Sequence, residues 1–430
     1  MQTFQYRRAR QIVAYAAAHS PFYRNLWGEN NHHIWQELPT VDKTAMMAHF
    51  ETFNTVGVSK EDALAVALRA ETTRDFRPTV GKFTVGLSSG TSGHRGLFLV
   101  SPQEQAAWAG VILARALHRL PRRGLRIAFF LRAFSNLYAR AGNRLVEIRY
   151  FDLMTPLNVA VAQLNQFAPD LIVAPPSLLG FLAEARREGR LQARPERLIS
   201  VAEVLEPQDA QAIGAAFQAP VHQIYQCTEG LLAVSCPQGT LHLQEDIVAV
   251  QLAPLESTVT ATADSAGAAS VRRRFTPIVT DLWRHTQPII RYRLNDVLQV
   301  DVGPSAPRCA CGSTFRVIAA IEGRCDDICY FWTVDGERRP FFPDTLRRMV
   351  LLASSAITDY QIVQQSDGQL HIFLATLPNT AFDSIRDVVR RHADDTLAMY
   401  GCRPAALVVE EGIPKWQQES KRRRVRRVEG

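Results

Sequence analysis

From residue 82 to residue 225 short apolar runs alternate with stretches of helical spacing, and this alternation limits the fold more than any single motif does. Lys82 to Val85 and Leu97 to Val100 read as two strands flanking a glycine-rich turn. Pro102 to Leu120 has helical periodicity, Leu125 to Leu131 is a buried-strand run, and Leu171 to Ala174 is a second one ahead of Pro175-Pro176. Helical stretches at Leu178 to Glu188 and Pro207 to Phe217 follow, and the strand Val221 to Tyr225 comes after the second. Strands alternating with helices imply parallel βαβ construction, so the expected class is α/β. Two further helical stretches, 4–20 and 42–55, precede this region.

Around residues 241–300 the pattern changes to short strands punctuated by Pro and Gly, which predicts a β-rich subdomain. Beyond Gly323 the chain reads as a smaller α+β unit, with strands at Tyr360 to Gln364, Leu370 to Ala375 and Ala406 to Glu410 and a helix at Phe382 to Met399. The expected division is therefore a large N-terminal domain, 1–323, with parallel-rich sheets and a β-rich subdomain, and a small mobile C-terminal domain, 324–430.

No apolar run approaches the ~20 residues needed to cross a bilayer, and the start, Met-Gln-Thr-Phe-Gln-Tyr-Arg-Arg, opens no signal-peptide core, so the expected location is the cytoplasm. Seven cysteines, an odd number, in such a chain argue against a disulfide framework and make metal ligation the better question. Of the net charge of +7, Lys421, Arg422, Arg423, Arg424, Arg426 and Arg427 supply six positive charges. Away from that tail the chain is nearly neutral. Clustered cations attract phosphates, but such a run is ordinarily a solvated end, and a nucleic-acid partner is not expected.

The segment Ser88-Ser89-Gly90-Thr91-Ser92-Gly93-His94-Arg95-Gly96 can wrap an anion: glycine lets backbone N–H groups converge on phosphate oxygens, and the hydroxyls add donors. It is not the G-x-x-x-x-G-K-[ST] phosphate loop, because no Lys-Ser or Lys-Thr follows its last glycine. Taken alone it also reads as a plain hairpin loop.

The same segment resembles the phosphate loop of the adenylate-forming superfamily, and later segments match that superfamily in order. Val201-Ala202-Glu203-Val204-Leu205 resembles its Gly-Ala-Glu element, and Tyr225-Gln226-Cys227-Thr228-Glu229 its Tyr-Gly-x-Thr-Glu element. Ile290-Arg291-Tyr292-Arg293-Leu294-Asn295-Asp296 resembles the Tyr-Arg-Thr-Gly-Asp element, and Gly323-Arg324-Cys325-Asp326-Asp327 the Gly-Arg-x-Asp-Asp hinge. Glu419-Ser420-Lys421-Arg422-Arg423-Arg424-Val425 is similar to the C-terminal lysine motif. The resemblance covers roughly residues 80–430 and is closest to the phenylacetate-CoA ligase-like branch.

That resemblance implies an AMP-forming acid-thiol ligase using ATP and Mg²⁺. Ser88, Ser89, Gly90, Thr91, Ser92 and Gly93 would cradle the β- and γ-phosphates, Glu229 would help bind magnesium, and Thr228 would contact the α-phosphate. Tyr225 and Ala202, with Glu203 beside them, would flank the adenine, and Asp296 would accept from the ribose hydroxyls. Lys421 would meet the charge that develops during adenylation, and Arg324 and Asp326 would lie at the hinge on which the small domain rotates. The chain departs from the family pattern where His94-Arg95 replaces a lysine, Val201 a glycine and Gln226-Cys227 a Gly-x pair, which puts the fine adenine and phosphate geometry in question.

Cys236 and His242 are separated by five residues, and Cys309 and Cys311 by one. Together they make a Cys₃His set suited to a closed tetrahedral structural zinc, and some enzymes of the same branch are similar here. Buried or chance cysteines are the alternative, since the spacings are looser than paired C-x₂-C knuckles.

The expected reaction joins a small-molecule carboxylic acid, by the resemblance an aryl one, to a thiol. The acceptor would be coenzyme A or the phosphopantetheine of an acyl carrier protein. Phe129, Phe130, Phe134 and Tyr138 either line a flat acid pocket or belong to the core. Adenylyl transfer or amide formation without a thiol, and an inactive zinc-stapled binding protein, are the rival readings. A homodimer is among the assemblies left open.

Overall fold

A computed structural model describes the chain except residues 29–33, 74, 76, 89–94, 118–123, 132–144, 154, 256–259, 263–269, 304, 305, 307, 415–422, 429 and 430. The chain forms two compact units, one of Met1–Leu294 and Leu298–Ala320, the other of Asn295–Val297 and Ile321–Gly430.

The first unit opens with helices α1 (Gln2–His19), α2 (Pro21–Trp27), α3 (Lys43–Ala48), α4 (Phe50–Phe53) and α5 (Lys60–Thr73). Ser20 separates the first two, its hydroxyl accepting from the Tyr23 N–H at 3.3 Å with Pro21 in the first helical position. Strands β1 (Thr84–Leu87) and β2 (Leu97–Val100) then pair antiparallel, with Leu87 opposite Leu97. Helix α6 (Pro102–Leu117) starts from a capping box in which Ser101 Oγ accepts from the Glu104 N–H at 3.3 Å and Glu104 accepts from the Ser101 N–H at 2.8 Å.

The chain then lays down β3 (Leu125–Leu131), β4 (Val146–Asp152), α7 (Leu157–Phe167), β5 (Leu171–Ala174), α8 (Pro176–Arg187), β6 (Arg197–Val201), α9 (Pro207–Phe217) and β7 (Val221–Cys227). It continues through β8 (Gly230–Ser235), β9 (Leu241–Leu243), β10 (Val248–Pro254), β11 (Thr260–Thr262), β12 (Ser270–Asp281), β13 (Tyr292–Arg293), β14 (Asp296–Val302) and β15 (Val317–Ile318). Eight strands make one sheet in the order β15-β9-β8-β7-β6-β5-β3-β4, parallel from β4 to β7 and antiparallel from β7 to β15. Alternation sends Ile172 and Ala174 to the face packed with Leu164, Leu179, Leu182 and Ile213 of α7, α8 and α9, and Leu171 and Val173 to the face with Ala116 of α6. A second sheet, β10-β12-β14, is antiparallel, with β11 and β13 also paired to β12.

The second unit contains β16 (Ala320–Arg324), β17 (Cys329–Trp332), β18 (Arg338–Phe341), α10 (Pro343–Leu351), β19 (Ile357–Gln364), β20 (Leu370–Thr376), α11 (Phe382–Met399), β21 (Leu407–Glu411) and β22 (Val425–Arg427). Its four-stranded sheet runs β21-β20-β19-β22. Leu346 and Met349 of α10 and Val389 and Leu397 of α11 pack on Tyr360, Ile362, Leu370 and Ile372. The arginine run corrects one expectation, because its described part is not a solvated end. Val425–Arg427 pairs parallel with Ile362–Gln364, Arg423 Nε donates to Asp327 at 2.8 Å, and Arg424 Nε donates to Asp359 at 3.0 Å. Backbone partners from β19 and two carboxylates hold these residues down. Among the described residues no helix is long and apolar enough to cross a membrane.

Candidate functional site

Strands β6 and β7 lie side by side and parallel, Val201 opposite Ile224, so the Ala202–Glu203 and Tyr225–Glu229 elements leave the sheet together at its carboxyl edge, where ligands of open α/β sheets gather. Strand β6 ends in a tight turn: the Glu203 N–H donates to Val201 O at 2.8 Å around Ala202, whose φ is 68°. A side chain held in this left-handed region costs about 1–3 kcal/mol, strain of a kind that collects at functional sites. Glu203 is anchored in turn, its carboxylate accepting from the Ser177 N–H at 3.3 Å.

Thr228 and Glu229 form the two-residue connection between β7 and β8, with Cys227 opposite Gly230. Such connections favour positive φ angles and glycine or asparagine. Neither Thr228 nor Glu229 has one, and side chains hold the turn instead. Arg284 Nη1 donates to Thr228 O at 2.5 Å, and Thr228 Oγ1 donates to the Glu229 carboxylate at 2.8 Å. A Cβ at Gly230 would meet Val248 Cγ1 at 3.2 Å, a tight contact. The Glu229 side chain is buried. Tyr292 is buried beside it, its hydroxyl without a partner in hydrogen-bonding geometry among the described residues. Burial, and then the charge of Glu229, raises its phenol far above the ordinary value.

The same arginine reaches the exit of the glycine-rich loop. Arg284 Nη2 donates to Leu99 O at 3.2 Å and to Gln287 Oε1 at 3.1 Å, and Gln287 accepts from the Leu99 N–H at 2.8 Å. The Thr228–Glu229 turn and strand β2 are thus clamped to one loop, residues 284–287. The neck of the glycine-rich segment closes through Ser88: its N–H donates to Gly96 O at 2.7 Å and its Oγ accepts from the Gly96 N–H at 2.7 Å. Ser89, Gly90, Thr91, Ser92 and Gly93 lie outside the described residues, as do Phe134, Tyr138 and Lys421.

Two carboxylates frame the clamp. Glu104 accepts from the His285 and Thr286 N–H groups at 2.6 and 2.8 Å; burial works against its charge, but these bonds, with Ser101 and Arg284, hold it below the usual carboxylate range. Burial pushes Asp281 up to about 6, against the opposing pull of the Trp283 and Arg284 N–H groups and the Arg284 charge. Sequence reasoning missed Arg284, Gln287 and Asp281, whose roles depend on contacts remote in the chain. The Ser101-x-x-Glu104 spacing was the one legible signal.

In the second unit the other elements knit together. Arg324 Nε lies 3.8 Å from Asp296 Oδ1, Asn295 Nδ2 donates to Asp326 at 2.7 Å, and the Cys325 N–H donates to Asn295 O at 2.7 Å. Burial, followed by the charges of Asp326 and Asp296, pushes the Cys325 thiol up to about 11.

The four predicted metal ligands converge, with their donor atoms all within 4.8 Å of one another. Cys236 Sγ and Cys309 Sγ are 3.7 Å apart, and Cys311 Sγ and His242 Nε2 are 3.4 Å apart. Zinc bonds of about 2.3 Å to sulfur and about 2.05 Å to nitrogen in a tetrahedron require edges of about 3.8 and 3.5 Å, which these match. His242 Nδ1 lies 3.0 Å from Phe315 O, which leaves Nε2 available to the cluster. All seven cysteines are free of disulfides.

Solved structures share this fold. A 2-hydroxyisobutyryl-CoA ligase in its postadenylation state, bound to 2-HIB-AMP, aligns over 99% of this chain and 89% of its own at 20% identity and a TM-score of 0.71. The same ligase with 2-HIB-AMP and CoA in its thioesterification state gives 0.57 over the same shares and identity. The amide bond synthetase McbA from Marinactinospora thermotolerans aligns over 80% of this chain and 68% of its own at 14% identity and 0.52. No protein-family model and no curated protein matches the chain. The likeness to solved structures establishes the fold, that of the two-domain adenylate-forming enzymes, which carries the α/β class expected from the sequence.

Proposed function

From the adenylate-forming fold, we propose that this chain activates a carboxylic acid with ATP and passes the acyl group to a thiol. A carboxylate oxygen attacks the α-phosphorus, the α–β phosphoanhydride bond breaks and pyrophosphate leaves. The thiolate then attacks the acyl carbon and AMP leaves. The observation that carries the reading is the Thr228–Glu229 turn, a buried carboxylate on a backbone bolted by Arg284 to the strand that leaves the glycine-rich loop. The structural relatives support it, being ligases described with acyl-adenylates and, in one state, CoA.

In this reading Glu229 holds Mg²⁺, a hard cation usually shared between one or two carboxylates and phosphates, and the ion would offset charge on the triphosphate. Thr228 faces the α-phosphate, and residues 88–93 take the β- and γ-phosphates. Ala202, Glu203 and Tyr225 border the adenine, Asp296 takes the ribose hydroxyls, and Lys421 meets the transition-state charge. Arg324 and Asp326 serve the hinge between a large domain, 1–323, and a mobile one, 324–430. The acid is aryl, as in the phenylacetate-CoA ligase-like branch. The Cys₃His set holds a structural Zn²⁺ that staples the β9–β15 pair, and free thiols suit a reducing cytoplasm.

Pyrophosphate release with ATP, Mg²⁺ and a panel of aryl and hydroxyalkyl acids tests the proposal. Release should depend on one class of acid and fall at least ~100-fold, about 2.7 kcal/mol, in Glu229→Gln and Lys421→Ala. No release with any acid from folded protein overturns the reading. Release without thiol-dependent AMP formation moves it to amide or adenylyl transfer, the kind of reaction the amide bond synthetase is named for.

A further inference from the structure

Asp327 ends the single 3₁₀ turn Cys325–Asp327 that follows β16, and only 5% of it is exposed. Its Oδ1 accepts from Arg423 Nε at 2.8 Å and from Nη2 of the same guanidinium, across 96 residues of chain. Burial raises this carboxyl above its usual range, and the Arg423 charge and hydrogen bonds pull against the rise. A charge pair so far out of water adds little net stability, because desolvation offsets most of the attraction. What it does supply is a fixed distance between two segments. At one end Asp327 lies over the Gly323-Arg324 element: a Cβ at Gly323, whose φ is 128°, would stand 3.5 Å from Asp327 Oδ2. At the other end Arg423 is the first described residue after Lys421-Arg422, and the chain between them limits the Lys421–Arg423 Cα separation to about 7 Å. The Arg423 carbonyl accepts from Gln361 Nε2 at 3.3 Å, and the next carbonyl, Arg424 O, accepts from the Ile362 N–H at 2.6 Å.

We infer that Asp327 is a positioning residue for adenylation: through Arg423 it holds the segment that carries Lys421 in register with the Arg324–Asp326 hinge, so that the lysine turns with the hinge as one body. The inference rests on the acid-thiol ligase reading, in which Lys421 meets the charge of the first half-reaction. Loss of the pair therefore slows adenylation and spares acyl transfer. Arg424 supplies an internal comparison. Its Nε donates to Asp359 of β19 at 3.0 Å, a staple between neighbouring strands rather than to the hinge turn.

The test follows the two half-reactions separately in Asp327→Asn, Arg423→Gln, Arg423→Lys and Asp359→Asn: pyrophosphate release, and thioester formation from supplied acyl-adenylate. In Asp327→Asn and Arg423→Gln, kcat for pyrophosphate release should fall at least ~10-fold, with KM for ATP and thioester formation unchanged. Arg423→Lys keeps a charged donor and should recover part of the loss. Asp359→Asn should lower Tm while costing far less of the rate. Unchanged rates in Asp327→Asn, equal losses in both half-reactions, or equal losses in Asp327→Asn and Asp359→Asn overturn the inference and leave the ligase reading intact. If Asp327→Asn does not fold, the contrast between Arg423→Gln and Arg423→Lys decides in the same way. Absence of pyrophosphate release from the wild type sinks the ligase reading itself. Amide hydrogen exchange over residues 419–424 of the full chain then decides the anchoring alone: it should speed up more in Arg423→Gln than in Asp359→Asn, and equal protection overturns it.

Discussion

Asp281→Asn should stabilise the protein at neutral and alkaline pH and leave it unchanged in acid. The carboxyl is 4% exposed, and burial raises it from 3.8 to about 6. A raised carboxyl means that the charged form is the disfavoured one in the folded state. Its cost is absent below about pH 4, grows as pH rises toward 6 and is complete above that. Two units at 1.36 kcal/mol each make the full cost about 3 kcal/mol. The amide keeps the oxygen that accepts from the Trp283 and Arg284 N–H groups at 2.8 and 3.0 Å, so the turn at the end of β12 survives. Guanidinium denaturation at pH 4, 6 and 8 should show a stability gap near zero, then widening, then steady at up to about 3 kcal/mol. A variant less stable than wild type at pH 8, or a gap that ignores pH, refutes the reasoning. An acid kept at this cost beside Arg284 is expected to serve the site, and pyrophosphate release should fall in the same variant.

Arg284→Met strips donors from Thr228 O, Leu99 O and Gln287 Oε1; kcat/KM for ATP in pyrophosphate release should fall at least ~30-fold, about 2 kcal/mol, with partial recovery in Arg284→Lys. Protein prepared with zinc should release one equivalent to a colorimetric chelator after thiol modification, and Cys309→Ser should lower both metal content and Tm; metal-free protein with an unchanged Tm contradicts the assignment. Gly86→Ala places a Cβ 2.2 Å from Phe98 Cζ across the β1–β2 ladder and should cost about 1–3 kcal/mol by thermal denaturation; adding Phe98→Leu should restore part of it, and additive losses would show that the ring is not the obstacle.

Elements with strong local periodicity were legible to the residue: Leu125–Leu131, Leu171–Ala174, Pro207–Phe217 and Phe382–Met399 have the bounds their spacing predicts. The apolar spacing there reports burial directly, on one face or on both. Strand β4, reading Val-Glu-Ile-Arg-Tyr-Phe-Asp, was not legible, because it lies at the sheet edge and carries charge at alternate positions. The hairpin of β17 and β18 was missed for a related reason, since the face opposite its buried residues is arginine and exposed aromatic. The tail arginines read as a solvated run because the carboxylates that receive Arg423 and Arg424 are 96 and 65 residues away.

The sequence by itself determined the alternation that yields a parallel sheet, the glycine-rich turn between two strands, the order of the short motifs and the identity of the Cys₃His set. Each is written in spacing over a few residues, which is the range at which backbone geometry and side-chain type act without help. Only the tertiary structure decided that Arg284 joins Thr228 to Leu99, which lies 185 residues from the arginine in the chain, that Asp281 is buried enough to be pushed up to about 6, and that Cys236 and Cys309, 73 residues apart, meet at 3.7 Å. Those properties arise from burial and from donors brought together by packing, and neither quantity exists until the sheets have closed on their helices.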